Sequence, residues 1–544
     1  MGVIAALALT GAAVLPPAID RPIVQLADGA LRGEIADGVM SFKGAPFAAP
    51  PVGDLRWREP APVRAWSGLR DAVAFGPPCA QGASSWNSNL AAKSSEDCLY
   101  LNVWAPVVRR DKPAPVMIFF HGGAFHGGAA EGSSMIEPSY DGAKLARRGV
   151  VVVTASYRLG MFGFLAHPQL TAESPHHASG DYALLDNIAA LRWVQANIAG
   201  FGGDPGNVTA LGQSAGSVAV GLLMTSPLAK GLFQRAILHS GAVVDPDDIT
   251  LNDAETNGEK FAAALGGGIA DLRRRSAEAL LQTMMSTPAL RQTEPSEPPV
   301  EGFVLPEQPG LVFAEGREAA IPLLVGSTAR DGDLASMGVM GTPKAAAALA
   351  DQARTLALTH KVAPLSDAAA KAVQGYLAIA PDLAAATARL YAVAGETDPV
   401  DGDIDTALKT DVMFRCGAAL MAQWHARRSP TWRYEFSHGY EPLGAVHIWD
   451  MLYLFGWLQP PADQPRDTRL SDELQRYWVA FATSGDPNAA GLPSWPINGA
   501  NERYLDFASD GPVAKTGPRQ AACAIFDRKN ELDLAAARAK LVTR

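Results

Sequence analysis

The stretch Gly212-Gln213-Ser214-Ala215-Gly216 constrains this chain more than any other part of it. It follows Val208-Thr209-Ala210-Leu211, a short apolar run that reads as a buried strand. It precedes Ser217-Val218-Ala219-Val220-Gly221-Leu222-Leu223-Met224, which reads as a helix packed on that strand. Strand, sharp turn and helix are the setting of a nucleophile elbow, where a strained turn carries a serine hydroxyl at its tip. The flanking glycines have no Cβ and so permit that turn. A G-x-S-x-G match by itself also fits a glycine-rich turn with an idle serine. What decides between the two is the rest of the chain.

The surrounding pattern is that of an α/β protein. The run 150–155 (Val-Val-Val-Val-Thr-Ala) has no polar alternation and fits a central strand covered on both faces. Residues 99–104, 116–120, 323–326 and 431–436 are also strand-like. Residues 22–26 and 29–33 read as short strands of an antiparallel N-terminal sheet, and 35–43 lacks helical periodicity. In 181–197, Leu184, Leu185, Ile188, Leu191 and Val194 recur at amphipathic helical spacing. Strands alternating with helices imply a large, mostly parallel central sheet with helices on both faces. Ala-rich helical insertions, at about 248–300 and 342–410, are expected over the upper edge of the sheet, walling a gorge. One catalytic domain over 19–544 is therefore expected, despite the length of 544 residues.

The net charge of −10, without long blocks of like charge, argues against a nucleic-acid partner. Residues 1–18 read as a secretory leader or an apolar N-terminal segment: an apolar run at 3–15 ends in Pro16-Pro17-Ala18. That run is shorter than the roughly 20 residues a membrane helix needs, and no later segment reads as one, so stable membrane insertion is not expected. The cysteines are Cys79, Cys98, Cys416 and Cys523. They contain no C-x-x-C pair, and their even number suits either an exported protein with disulfides or four buried thiols. A secreted or periplasmic location is the expectation. Neither a metal nor another cofactor is expected, because His176-His177 has no partner at ligand spacing and no nucleotide fingerprint occurs. The sequence sets no oligomeric state.

A serine nucleophile needs a base, a carboxylate that orients the base, and backbone donors for the oxyanion. On sheets of this kind the chain order is Ser, then Asp or Glu, then His. His121-Gly122-Gly123-Ala124-Phe125 follows the strand 116–120, and its turn leaves backbone amides unshielded. Ala215, directly after the serine, offers another N–H.

Several ordered motifs accompany these parts. They are Gly44-Ala45-Pro46-Phe47-Ala48 with Pro50-Pro51-Val52-Gly53, and Ser95-Glu96-Asp97-Cys98-Leu99-Tyr100-Leu101-Asn102-Val103. Tyr157-Arg158-Leu159-Gly160, Phe201-Gly202-Gly203-Asp204-Pro205 and Ser484-Gly485-Asp486-Pro487-Asn488 follow. With these motifs the chain resembles the type-B carboxylesterase family, which includes the cholinesterases, over about 22–534. The resemblance implies an α/β-hydrolase fold and a serine carboxylesterase acting on a small-molecule ester through an acyl-enzyme. It makes Ser214 the nucleophile. It makes His447, in Gly444-Ala445-Val446-His447 before Tyr453-Leu454-Phe455-Gly456, the general base, with His438 the nearest competitor among ten histidines. It places Asp331, before Gly332, at the position of the triad acid, with Asp333 as runner-up. It maps the oxyanion hole to Gly123, Ala124 and Ala215. It also suggests the disulfides Cys79–Cys98 and Cys416–Cys523, and a structural ion pair between Arg56 and Glu96.

Substrate signals are sparser. Gln213 stands where many relatives carry Glu, which removes a negative charge from the gorge floor and disfavours a cationic substrate. Trp86 resembles the choline-binding tryptophan of cholinesterases, though a packing role is the commoner one for a loop tryptophan. After Ser240-Gly241 comes Ala242-Val243-Val244, without a bulky aromatic, so an acyl pocket open to bulky or long groups is expected. His126 and Glu131 flank the oxyanion turn as substrate contacts or as solvated loop residues. Two alternatives accompany the esterase: a lipase-like interfacial hydrolase with a lid in 342–398, and a non-catalytic adhesion relative.

Overall fold

The computed structural model describes residues 21–84, 86–108, 112–132, 140–246, 248–333, 386, 400–440, 443–458, 462–499, 501–517 and 519–542. Its strands are β1 (Ile23–Gln25), β2 (Ala30–Arg32), β3 (Glu34–Ala36), β4 (Val39–Pro46), β5 (Leu69–Asp71), β6 (Tyr100–Pro106), β7 (Ala114–Phe120), β8 (Val151–Ala155), β9 (Gly203–Gln213), β10 (Arg235–His239), β11 (Leu323–Thr328), β12 (Thr431–Phe436), β13 (Arg503–Ala508) and β14 (Gly511–Thr516). Eleven of them form one sheet in the order β14-β13-β12-β11-β10-β9-β7-β8-β6-β4-β3. The block from β8 across to β13 is parallel, and both flanks are antiparallel.

The unalternating apolar runs divide their side chains between two cores with the period of two that a strand imposes. Val116, Ile118 and Phe120 of β7 face one core together with Val151 and Val153 of β8. Met117, Phe119 and Val152 face the other. The helices Tyr182–Asn197, Ala215–Thr225 and Cys416–His425 cover the first face. Trp449–Leu454 and Pro465–Ser484 cover the second. This is the α/β-hydrolase architecture anticipated from the sequence.

Local expectations fared unevenly. The small sheet is mixed rather than antiparallel: β1 and β2 run antiparallel, but β5, absent from the sequence reading, joins β2 in parallel. The helix Tyr182–Asn197 is not simply amphipathic. It is wedged between the sheet and the helices Gly160–Phe164 and Ala215–Thr225, so Asp186 and Asn187 on its polar positions are also buried. Asp186 is committed to Arg158 through a two-pronged contact at 2.7 and 2.8 Å. The insertion at 248–300 is helical, with Leu251–Ala264, Ile269–Arg274, Ala277–Ser286 and Pro288–Gln292. The insertion at 342–410 lies mostly outside the described residues, as does the leader segment 1–18. Among the described residues, no helix is long and apolar enough to cross a membrane.

Two disulfides tie the fold together, Cys79–Cys98 across 19 residues and Cys416–Cys523 across 107. Arg56 grips Glu96 with two hydrogen bonds and donates a third to the Leu272 carbonyl, fastening the helical insertion to the smaller disulfide loop.

Candidate active site

Open parallel sheets present a crevice beyond the carboxyl ends of their strands. Here His121 follows the end of β7, Ser214 the end of β9, and Asp331 sits in the turn after β11. His447 arrives on the loop between β12 and the helix Trp449–Leu454.

Ser214 occupies φ 55°, ψ −124°, a region costly for any residue with a Cβ. Packing forces it there. A Cβ on Gly212 would overlap the Gly216 carbonyl, and one on Gly216 would overlap the Phe120 carbonyl. The Ser214 N–H donates to the His239 carbonyl at 2.8 Å, which fixes the turn against β10. Beneath it, His239 is locked by Asp450 at 2.8 Å and by the Trp478 indole at 3.0 Å, all fully buried. The Ser214 side chain itself is only half-buried.

The turn after β7 is strained in the same sense. Gly123, Ala124 and Phe125 have φ of 115°, 52° and 59° in succession. Their backbone N–H groups therefore point away from regular pairing. The amides of Gly123, Ala124 and Ala215 have no acceptor among the described residues. The turn is held from behind by Gln81, which accepts from the Gly128 N–H at 3.0 Å and donates to its carbonyl at 2.9 Å. Asn87 in turn donates to Gln81 at 2.9 Å. Tyr157 donates to the His121 carbonyl at 2.6 Å and stacks on the His121 ring. Burial pushes the His121 imidazole down to about 4, so it is neutral at ordinary pH. Trp86 lies against the backbone of the same turn at Gly123 and Gly127, and is half-buried.

On the opposite side, His447 Nδ1 lies 2.7 Å from Asp331 Oδ1, and both side chains are buried. The other Asp331 oxygen accepts from the Thr328 N–H at 2.9 Å. Asp331, and not Asp333, meets the imidazole. His438 is engaged elsewhere, with Asp467 at 2.7 Å and Ser509 at 3.0 Å. The Phe414 ring packs on His447 at a centroid distance of 4.8 Å, from a π-helical turn Asp411–Arg415 of the kind often found at functional sites. Ile448, directly after the histidine, has φ 72°, unusual for a β-branched residue.

His447 Nε2 is occupied by the Gln213 amide nitrogen at 3.0 Å. Among the described residues, no hydrogen bond runs from the Ser214 hydroxyl to His447. His126 and Glu131 are both paired, with Glu294 at 2.9 Å and Lys93 at 2.5 Å. His176 stacks on Phe303. No group of three or more candidate metal ligands occurs among the described residues.

Sequence reasoning names Ser214, Asp331 and His447, of which the structure brings Asp331 and His447 together, and it misses the residues packed around them. Gln81, Phe414 and the His239–Asp450 pair have no motif of their own. Gln213 stands out in the sequence for its missing charge, whereas the structure adds its contact with His447. Its place beside Ser214 was the available signal, since a side chain flanking an elbow serine points into the site.

Comparison with known proteins agrees in scope. A family model described as "Carboxylesterase family" matches residues 20–526. The fumonisin B1 esterase of Sphingopyxis macrogoltabida is 38% identical over 528 residues, covering 92% of this chain and 90% of that protein. The para-nitrobenzyl esterase of Bacillus subtilis (strain 168) is 36% identical over 497 residues, covering 87% and 92%. Among solved structures, a carboxylesterase of Geobacillus stearothermophilus superposes with a TM-score of 0.73 at 31% identity, covering 92% of this chain and 99% of that one.

Proposed function

The chain belongs to the carboxylesterase family and is a carboxylic ester hydrolase, and we propose that it works through an acyl-enzyme formed on Ser214. In this reading Ser214 Oγ attacks the ester carbonyl while His447 Nε2 takes its proton. Asp331 holds the Nδ1–H and stabilises the imidazolium. The amides of Gly123, Ala124 and Ala215 receive the oxyanion, each worth about 2.7–4 kcal/mol in the transition state. His447 then protonates the leaving alcohol and activates water for deacylation. The observation that carries the reading is the 2.7 Å contact between His447 and the buried Asp331, residues 116 apart in sequence. A buried carboxylate on Nδ1 leaves Nε2 as the lone pair of the neutral ring, which is what a general base requires.

Hydrolysis of p-nitrophenyl esters from acetate to decanoate by wild type and Ser214→Ala tests it. Loss of about 10⁶ in kcat is expected, as for other triads. A Ser214→Ala protein with near-full activity would sink the assignment. The small residues after Ser240 support neutral esters with bulky or long acyl groups as substrates. Activity confined to acetate would remove that part. The two disulfides support export to an oxidising compartment. Recovery of the native protein from the cytosol with four free thiols would overturn it.

A further inference from the structure

Gln213 is 1% exposed, so its amide must satisfy itself inside the protein. Its nitrogen sits 3.0 Å from His447 Nε2. Its oxygen lies against Gly122, where a Cβ on residue 122 would overlap it. The hydrogen-bond roles follow from Asp331. A carboxylate only accepts, so Nδ1 carries the ring proton, Nε2 offers a lone pair, and the Gln213 NH₂ donates into it. The Ser214 hydroxyl needs that same lone pair.

We propose that Gln213 is a positioning residue that caps Nε2 of His447 in the resting site, holding the ring neutral and out of reach of Ser214 until an entering ester displaces the amide. The proposal rests on the Ser214–His447–Asp331 reading and adds a regulated first step to it. An amide N–H cannot face a protonated Nε2–H, because two donors would then confront each other. When the Ser214 proton moves to Nε2, the amide must already have turned away. The other ionisable groups on the elements around the ring have partners of their own. Asp450 binds His239 and Tyr434, and Arg330 donates to the Val400 carbonyl. Asp411 and Arg415 bind each other, Asp333 has its own contacts, and His121 contacts the Gly122 carbonyl. Among the described residues, that leaves Asp331 and Gln213 as the two groups hydrogen-bonded to the imidazole.

The test compares Gln213→Glu and Gln213→Met with wild type in the pH profile of kcat/KM and in the rate of fluorophosphonate labelling of Ser214. The carboxylate of Gln213→Glu accepts from a protonated Nε2, so the acid limb should move up by about one unit or more. Gln213→Met keeps the volume but neither donates nor attracts, so its limb should move up by less. Its labelling at neutral pH should be several-fold faster, because Nε2 is free. Acid limbs that coincide in all three proteins, or a Gln213→Met protein labelled no faster than wild type, would overturn the cap. Should Gln213→Glu fail to fold, Gln213→Met alone decides by the same two readouts. Failure of the underlying reading looks different: the wild type would neither hydrolyse esters nor take label on Ser214. In that case titration of the His447 ring by NMR in Gln213→Met and wild type still tests the cap, and coincident midpoints would overturn it.

Discussion

The proposed nucleophile side and the proposed base side of this site are built by different means. Around Ser214 the shape is set mainly by main chain, with side chains such as Gln81 and Tyr157 bracing it from behind: a strained elbow, a strained turn at Gly123–Phe125, and glycines whose missing Cβ atoms allow carbonyls to close in. Around His447 it is done by side chains from distant parts of the sequence. Asp331 reaches it across 116 residues. The turn that carries Asp331 is held by Arg415, which donates to the Ala329 carbonyl at 2.9 Å, and by Thr410, which accepts from the Gly332 N–H at 2.8 Å. Arg415 is fully buried among Asp401, Asp411 and Glu435 and adjoins the Cys416–Cys523 bridge. A site made of local backbone tolerates changes in side-chain polarity but not in volume. A site made of remote side chains has the opposite tolerance.

After the loss of Ser214 itself, the largest expected effect is on the base side. Asp331→Asn keeps the volume but favours the wrong tautomer of His447, and should lower kcat by about 10⁴. Asp333→Asn should change it less than about threefold. Steady-state kinetics on one ester compares the two directly, and equal losses would move the acid to Asp333. Next comes the long disulfide. Replacing Cys416 and Cys523 by serine should cost about 4–5 kcal/mol in chemical denaturation, against about 3 kcal/mol for Cys79 and Cys98. It should also lower kcat more than the shorter bridge does, because Cys416 adjoins Arg415.

Acid should loosen the nucleophile side. His121 beneath the oxyanion turn has a folded pKa of about 4, below the unfolded value of 6.5. The unfolded chain therefore binds the extra proton between those values. Stability from this group is complete above 6.5 and is lost as pH falls towards 4, by up to about 3 kcal/mol. Across that window the urea midpoint of wild type should fall with pH, while that of His121→Gln should lack this fall. The smallest effect is steric. Gly216→Ala drives a methyl into the Phe120 carbonyl and should destabilise by about 1–3 kcal/mol, read as a fall in Tm.

The legibility of the two sides in sequence follows the same division. The elbow and the oxyanion turn lie within short segments, where strand, turn and glycine spacing state the geometry directly. The large sheet could be read because β7, β8 and the Val208–Leu211 part of β9 are short, mostly apolar runs. β10, β13 and β14 went unassigned. β13 and β14 form one flank of the sheet, and β14 carries exposed, polar and proline positions there. The parallel pairing of β5 with β2 was invisible for a related reason, since three exposed residues carry no periodic signal.

By itself, then, the sequence determined the fold class and the sharp turn at Ser214, because each is encoded over a few adjacent residues, while His447 and the candidate acids were named through the family resemblance. Only the tertiary structure decided that Asp331 rather than Asp333 meets His447, that Phe414 packs on the ring, and that Gln213 takes the nitrogen Ser214 would use. Those choices depend on where buried polar groups from separate loops find partners. A single missing partner in that interior costs about 1–3 kcal/mol, and nothing in local spacing shows which partner will arrive.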